Sequence, residues 1–147
     1  MKNILLPILI LIIFNNILYT DETPTRTQEL SVKDMQTQNT IIAKMFAEEI
    51  SKTLPHKVDK YTELMGVSSK KATIVYIFEI NTGSKSDMAV IKEDRSRMQR
   101  VVTQGICQSS DRFLKADINI SYLYRSATSK NKLFQFDVTK NDCNFKL

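Results

Sequence analysis

Few side chains in this sequence could carry covalent chemistry, and they can be weighed one at a time. Cys107 and Cys143 are the only cysteines and His56 the only histidine. Two cysteines this far apart do not form the CxxC pair of a thiol–disulfide oxidoreductase, and a single histidine cannot complete a four-ligand zinc site with them. In an exported chain they are expected to close a structural disulfide, tying the end of a helix to the end of the last strand. Chain-entropy arithmetic for such a loop gives about 4 kcal/mol. His56 sits between Pro55 and Lys57. A catalytic base needs a nucleophile and an orienting carboxylate, and nothing around His56 has a recognisable nucleophile motif, so an exposed junction residue is expected. Glu48-Glu49 and Glu93-Asp94 read as solvated helix faces with i,i+4 partners. Phosphate-cradling glycine loops, calcium loops and metal-binding spacings are all missing from the sequence. No catalytic residue, metal ligand or cofactor is therefore expected, and the chain reads as a non-enzyme.

The elements that would position these residues follow from hydrophobic periodicity. Ile42, Met45, Phe46, Glu49 and Ile50 recur at helical spacing, extended by Met35 and Leu54, within a helix capped by Ser31 or Asp34 and stopped by Pro55. Lys57–Val67 reads as a strand, joined by a polar turn to Ala72–Ile80, where Ile74, Tyr76, Phe78 and Ile80 share one face and Val75 and Ile77 the other. Met88–Ile106 is a second amphipathic helix, with Ile91, Met98, Val102 and Ile106 on its apolar side. A short helical turn carrying Phe113 and Leu114 follows. In the final hairpin Ile118, Ile120, Tyr122 and Tyr124 should lie beside Phe134, Phe136 and Val138. Period-two alternation makes Tyr122 and Tyr124 core residues rather than a stacking platform for bases. The expected fold is α+β: an antiparallel sheet of four or five strands with packed helices, in the order α-β-β-α-(short α)-β-β, with one disulfide. On the sheet face opposite the aromatic rows, Val75, Ile77, Leu123 and Leu133 form an apolar stripe. The first helix is expected to cover it; uncovered, it would suit a partner's apolar peptide or helix.

At the start, Met1-Lys2-Asn3 precedes an apolar run, Ile4–Phe14, interrupted only by Pro7. Its length fits the core of a secretory signal peptide and falls short of a standard membrane span. Residues 1–20 are read as that signal, cleaved near Thr20, with an uncleaved anchor as the alternative; residues 21–30 form a flexible lead-in; residues 31–147 are one α+β domain. The two cysteines agree with an oxidising destination, periplasmic or secreted. The formal net charge of +5 falls to +4 without residues 1–20, where Lys2 is the one charge. The basic residues are dispersed, which argues against nucleic acid as a partner.

Cys107, the turn with Phe113-Leu114, Tyr122-x-Tyr124-Arg125, Val138-Thr139 and Cys143 together resemble the end of small exported bacterial proteins, and among them the α/β type of type II secretion pilotin. The resemblance covers roughly the last sixty residues, with a looser echo in the preceding hairpin and helix. It implies a periplasmic, disulfide-containing domain without a catalytic site that holds a segment of a secretin. The chain departs from the family in having no lipid-attachment cysteine after its signal segment. The function expected is thus a non-enzymatic periplasmic binding or assembly protein holding a peptide or helix of an envelope partner such as a secretin. A small exported enzyme or inhibitor, or an inner-membrane-anchored subunit of an envelope complex, is the alternative. Membrane contact is expected only through an uncleaved N-terminal segment.

Overall fold

A computed structural model describes residues 31–144, so the expected signal segment and lead-in lie outside the described residues. Helix α1 (Val32–Ser51) begins where the Ser31 hydroxyl accepts from the Asp34 amide at 3.2 Å, satisfying one orphan donor of the first turn. It ends at Ser51, short of Pro55. The strand expected over Lys57–Val67 is broken in two, a short β1 (His56–Lys57) and a long β2 (Thr62–Lys70). The Asp59 carboxylate causes the break: it accepts from the amides of Tyr61 at 2.7 Å and Thr62 at 2.9 Å, folding the chain back on itself as short acidic side chains do in turns. Those amides, Tyr61 first, hold the Asp59 carboxyl below its ordinary range. Strand β3 (Thr73–Ile80), helices α2 (Asp87–Ser109) and α3 (Asp111–Lys115), and strands β4 (Asn119–Ser126) and β5 (Lys132–Val138) complete the order, with a 3-10 turn at Lys140–Asp142.

The five strands form one sheet in the order β1-β2-β3-β4-β5. The β2–β3 and β4–β5 hairpins are antiparallel, as the alternation predicts, and Tyr124 faces Phe134, Tyr122 faces Phe136 and Ile120 faces Val138. The centre differs from an all-antiparallel sheet: β3 and β4 run parallel, with Ile74 beside Ile120, Tyr76 beside Tyr122 and Phe78 beside Tyr124. The two helices between them are the reason. They carry the chain back to the end where β3 began, the crossover that parallel neighbours require.

All three helices lie on the face of Ile74, Phe78, Ile120 and Tyr124. There Ala43 and Ala47 of α1, Val90, Val102 and Ile106 of α2, and Leu114 of α3 join one buried cluster. Asn39 Nδ2 donates to the Ala116 carbonyl at 2.7 Å, fastening α1 to the end of α3. The disulfide is Cys107–Cys143, with Cα atoms 5.5 Å apart, and joins the last turns of α2 to the chain just beyond the 3-10 turn.

The orientation of α1 corrects the sequence reading. Its sheet-facing residues are the alanines, Ala43 and Ala47, with Phe46 and Ile50 half-buried beside them; Ile42 is 38% and Met45 64% exposed. Small residues let the helix sit close to the sheet, close enough for the Ser51 hydroxyl to reach the Val67 carbonyl at 2.9 Å. That contact fixes the rotation and turns the larger side chains outward.

Candidate functional site

The outward rotation of α1 creates the most distinctive surface among the described residues. Helix α1 packs on β2 more than on β3, and α2 on β5 more than on β4. Strands lie about 4.8 Å apart, so helices centred near β2 and β5 have axes roughly 14 Å apart, against the 8–10 Å of helices in direct contact. At that spacing α1 and α2 do not meet over the middle of β3 and β4, and the shallow groove between them is marked by Tyr76 and Tyr122, which stay half-buried while Ile74, Phe78, Ile120 and Tyr124 around them are buried.

Tyr76 and Tyr122 form its floor, both half-buried, with ring centroids 5.1 Å apart. Beneath and beside them the rings continue: Phe78 lies 4.9 Å from both Tyr122 and Tyr124. One end is closed by Phe113 of α3, whose ring meets that of Phe46 at 4.8 Å, edge to face. That contact identifies the flank of α1 turned towards α3, and Ile42, four residues before Phe46, lies on the same flank by helical spacing, whereas exposed Met45 stands opposite the sheet-facing alanines. On α2, Gln99, Thr103 and Cys107 line a polar hollow with Asp142 and Cys143. Half-buried Met98 and exposed Val101 therefore lie on its other flank, towards α1. Ile42 and Phe46 of α1 and Met98 and Val101 of α2 thus flank the two tyrosines.

The chemistry of the floor follows from burial. The hydroxyls of Tyr76 and Tyr122 have no hydrogen-bond partner among the described residues, and neither is sealed from solvent. Burial first, and the Tyr122 charge second, push the Tyr76 phenol up to about 12. Burial raises Tyr122 and Tyr124 as well. The tyrosines remain neutral donors over the physiological range. A phenol whose folded pKa is raised stabilises the fold fully below its unfolded pKa of about 10, and that contribution is lost as pH rises through the folded value. Phenolate absorbance of the native protein is expected to show a step near pH 12 that moves to about 10 on unfolding. Ionisation of every tyrosine by pH 10 in the native state would contradict the burial.

The stripe anticipated on the opposite face is divided. Val75, Ile77 and Leu123 lie there, half-buried and outside the core cluster, and no described helix covers them, because α1 packs on the other side. Gly66, beside Ile77, has no side chain to fill the space: an added Cβ would stand 3.6 Å from Ile77 Cδ1. Leu133 does not belong to the stripe. Tyr124 pairs with Phe134 and Arg125 with Lys132, so Leu133 is the extra residue of a β-bulge, and it is 3% exposed in the core. Bulges re-aim side chains in this way. Around Leu123 the face is polar, with Ser121 donating to Asp137 at 2.6 Å.

The remaining candidates are not brought together. His56 is exposed at the sheet edge in β1, paired by backbone with Leu64. Glu48 and Glu49 are exposed and paired with Lys44 and Lys52; Glu93 and Asp94 pair with Lys85 and Arg97. No described cluster of acidic, histidine or cysteine side chains could hold a metal ion, and no described helix is long and apolar enough to cross a membrane. The sequence reading missed the groove. Its signal was Ala43 and Ala47, spaced i,i+4, which mark the closest approach of α1 and so which larger residues must turn away.

A family model described as a domain of unknown function (DUF8479) matches residues 37–134. No curated protein matches the sequence. Among solved structures the chain is similar to a candidate secreted protein of Pseudomonas aeruginosa, with a TM-score of 0.67 at 8% identity over 78% of this chain and 99% of that one. It is similar to EpsS, the pilotin of the Vibrio vulnificus type 2 secretion system, with a TM-score of 0.65 at 16% identity over 78% and 99%. It is also similar to AspS, the type II secretion pilotin of Vibrio cholerae, with a TM-score of 0.57 at 19% identity over 76% and 97%. At these identities the likeness is one of fold, and the pilotin-like architecture inferred from the C-terminal residues is borne out.

Proposed function

We propose that this chain, which belongs to the DUF8479 family, is an exported, non-enzymatic binding or assembly protein of the cell envelope. In this reading it holds an apolar-faced helix or peptide of a secretion-system partner in the groove between α1 and α2. The observation that carries the proposal is exposed Ile42, on the flank of α1 that Phe46 turns towards α3, beside the half-buried Tyr76 and Tyr122. An amphipathic helix docks by inserting apolar side chains at helical spacing into such a groove. The phenols are amphipathic anchors, with rings for the partner's apolar face and donors for its carbonyls or side-chain oxygens. Among the described residues no acid–base pair lines the groove, which favours holding over turnover. The shared fold with EpsS and AspS supports a role beside a secretion apparatus, and the Cys107–Cys143 bridge supports a periplasmic or secreted location.

A second surface is favoured by its own observation. Val75, Ile77 and Leu123 stay uncovered, with the Gly66 hollow beside them, and could receive the same apolar segment. The two surfaces are separated by cross-linking tagged full-length chain in cells and identifying the attached protein. Ile42 is 38% exposed, so Ile42→Glu keeps the fold while placing a charge in the groove; it is expected to reduce capture of the envelope partner at least tenfold, about 1.4 kcal/mol. Val75→Glu is expected to leave capture near the wild-type level. Loss in Val75→Glu with retention in Ile42→Glu would move the site to the open sheet face.

A further inference from the structure

The end of the molecule where the described chain begins carries a different surface. A pocket of about 1060 Å³ lies between the first turns of α1 and the β2–β3 turn, lined by Val32, Met35, Lys70, Lys71 and Lys115 among others. Val32 is 67% and Met35 43% exposed, although both are apolar. The carboxylates here are engaged: Asp34 by the Ser31 hydroxyl, Asp111 by Lys115 and Asp117 by Lys140. Lys33, Lys70 and Lys71 make no ion pair among the described residues and are all exposed. Lys71 has a backbone φ of 53° at the tip of the hairpin. Turns of this kind favour glycine or asparagine there, because a Cβ strains the left-handed conformation. The strain is tolerated at a position that projects a positive charge from the end of the sheet.

From this geometry we infer that the Val32–Met35 and Lys70–Lys71 end is a docking surface for an anionic phospholipid bilayer. Exposed apolar side chains set among unpaired lysines are the chemistry of an interfacial contact: the apolar groups enter the headgroup boundary while the ammonium groups meet lipid phosphates. The chain path favours a bilayer over a protein or a nucleic acid. The lead-in joins the described structure at Ser31, beside this surface, and with the N-terminal segment uncleaved it carries the apolar run Ile4–Phe14. At no more than about 3.6 Å per residue, the stretch from Phe14 to Ser31 reaches roughly 60 Å. A bilayer holding that apolar run is thus within reach of this end of the fold.

The test is co-flotation of the full-length protein with vesicles of neutral phosphatidylcholine, and with vesicles in which part of it is replaced by anionic phosphatidylglycerol. The wild type is expected to partition more strongly onto the anionic vesicles and to lose that advantage as salt is raised. Lys70→Glu with Lys71→Glu should reduce partitioning onto anionic vesicles by about tenfold or more without changing the neutral-vesicle value. Lys70→Gln with Lys71→Gln should give a smaller loss in the same direction, which keeps the test open if charge reversal disturbs the turn. Equal wild-type binding to both vesicle types, or wild-type binding by both lysine pairs, would overturn the inference. The vesicles contain no protein, so the result is independent of the groove.

Discussion

Phe134→Ala is expected to lower the free energy of unfolding by about 3–5 kcal/mol, the range for removing a large aromatic ring from a packed interior. Phe134 is 1% exposed, with neighbouring rings at 5.8 Å (Phe136) and 6.4 Å (Tyr124). It follows the β5 bulge, so its ring and the Leu133 side chain are both buried where β5 meets α2. The lost ring leaves a cavity that rigid neighbours refill only in part. Domains of this size are stable by roughly 5–15 kcal/mol, so the substitution removes a large share of the margin. Denaturant unfolding should show a lower midpoint with an unchanged slope. A midpoint within the error of wild type would mean that the β5 side of the core is not packed as described.

Removing the Cys107–Cys143 bridge is the second large effect. The bond closes a loop with a sequence separation of 36, and releasing it returns entropy to the unfolded chain worth about 4 kcal/mol. Cys107→Ala with Cys143→Ala should therefore unfold at a markedly lower denaturant concentration, and wild type treated with a thiol reductant should follow it. Both half-cystines are only partly buried against the core cluster, so packing compensates little for the lost cross-link. The bridge also fixes the end of α2, which forms one wall of the groove, so its loss should weaken partner capture beyond the loss of folded protein. A reduced protein as stable as the oxidised one would remove the bridge from any structural role.

What was legible in the sequence is what local periodicity encodes. Ile74-x-Tyr76-x-Phe78-x-Ile80 and Ile120-x-Tyr122-x-Tyr124 alternate with period two, and side chains of a strand must follow that alternation, so faces and hairpin partners could be read directly. The cysteine pair was legible because two cysteines allow one intramolecular bridge. The parallel pairing of β3 with β4 was not, since it depends on where the crossover through α2 and α3 returns the chain. Nor was the rotation of α1. Hydrophobic weight points to Ile42 and Met45 as the inward residues, whereas close approach to β2 selects Ala43 and Ala47, and a helix can satisfy only one of these. The bulge that withdraws Leu133 from the open-face stripe likewise leaves no mark in the pattern, because Leu133-Phe134 reads equally well in either register. Each of these features is set by how elements meet, and the groove depends on the first two.

The central claim is that the partner lies between α1 and α2, over Tyr76 and Tyr122. It is tested most directly by placing a photo-reactive amino acid at Ile42 in one full-length chain and at Leu123 in another, then irradiating cells that contain the partner. A covalent product from Ile42 with none from Leu123 is the predicted result. A product from Leu123 alone, or from neither position, would contradict the account.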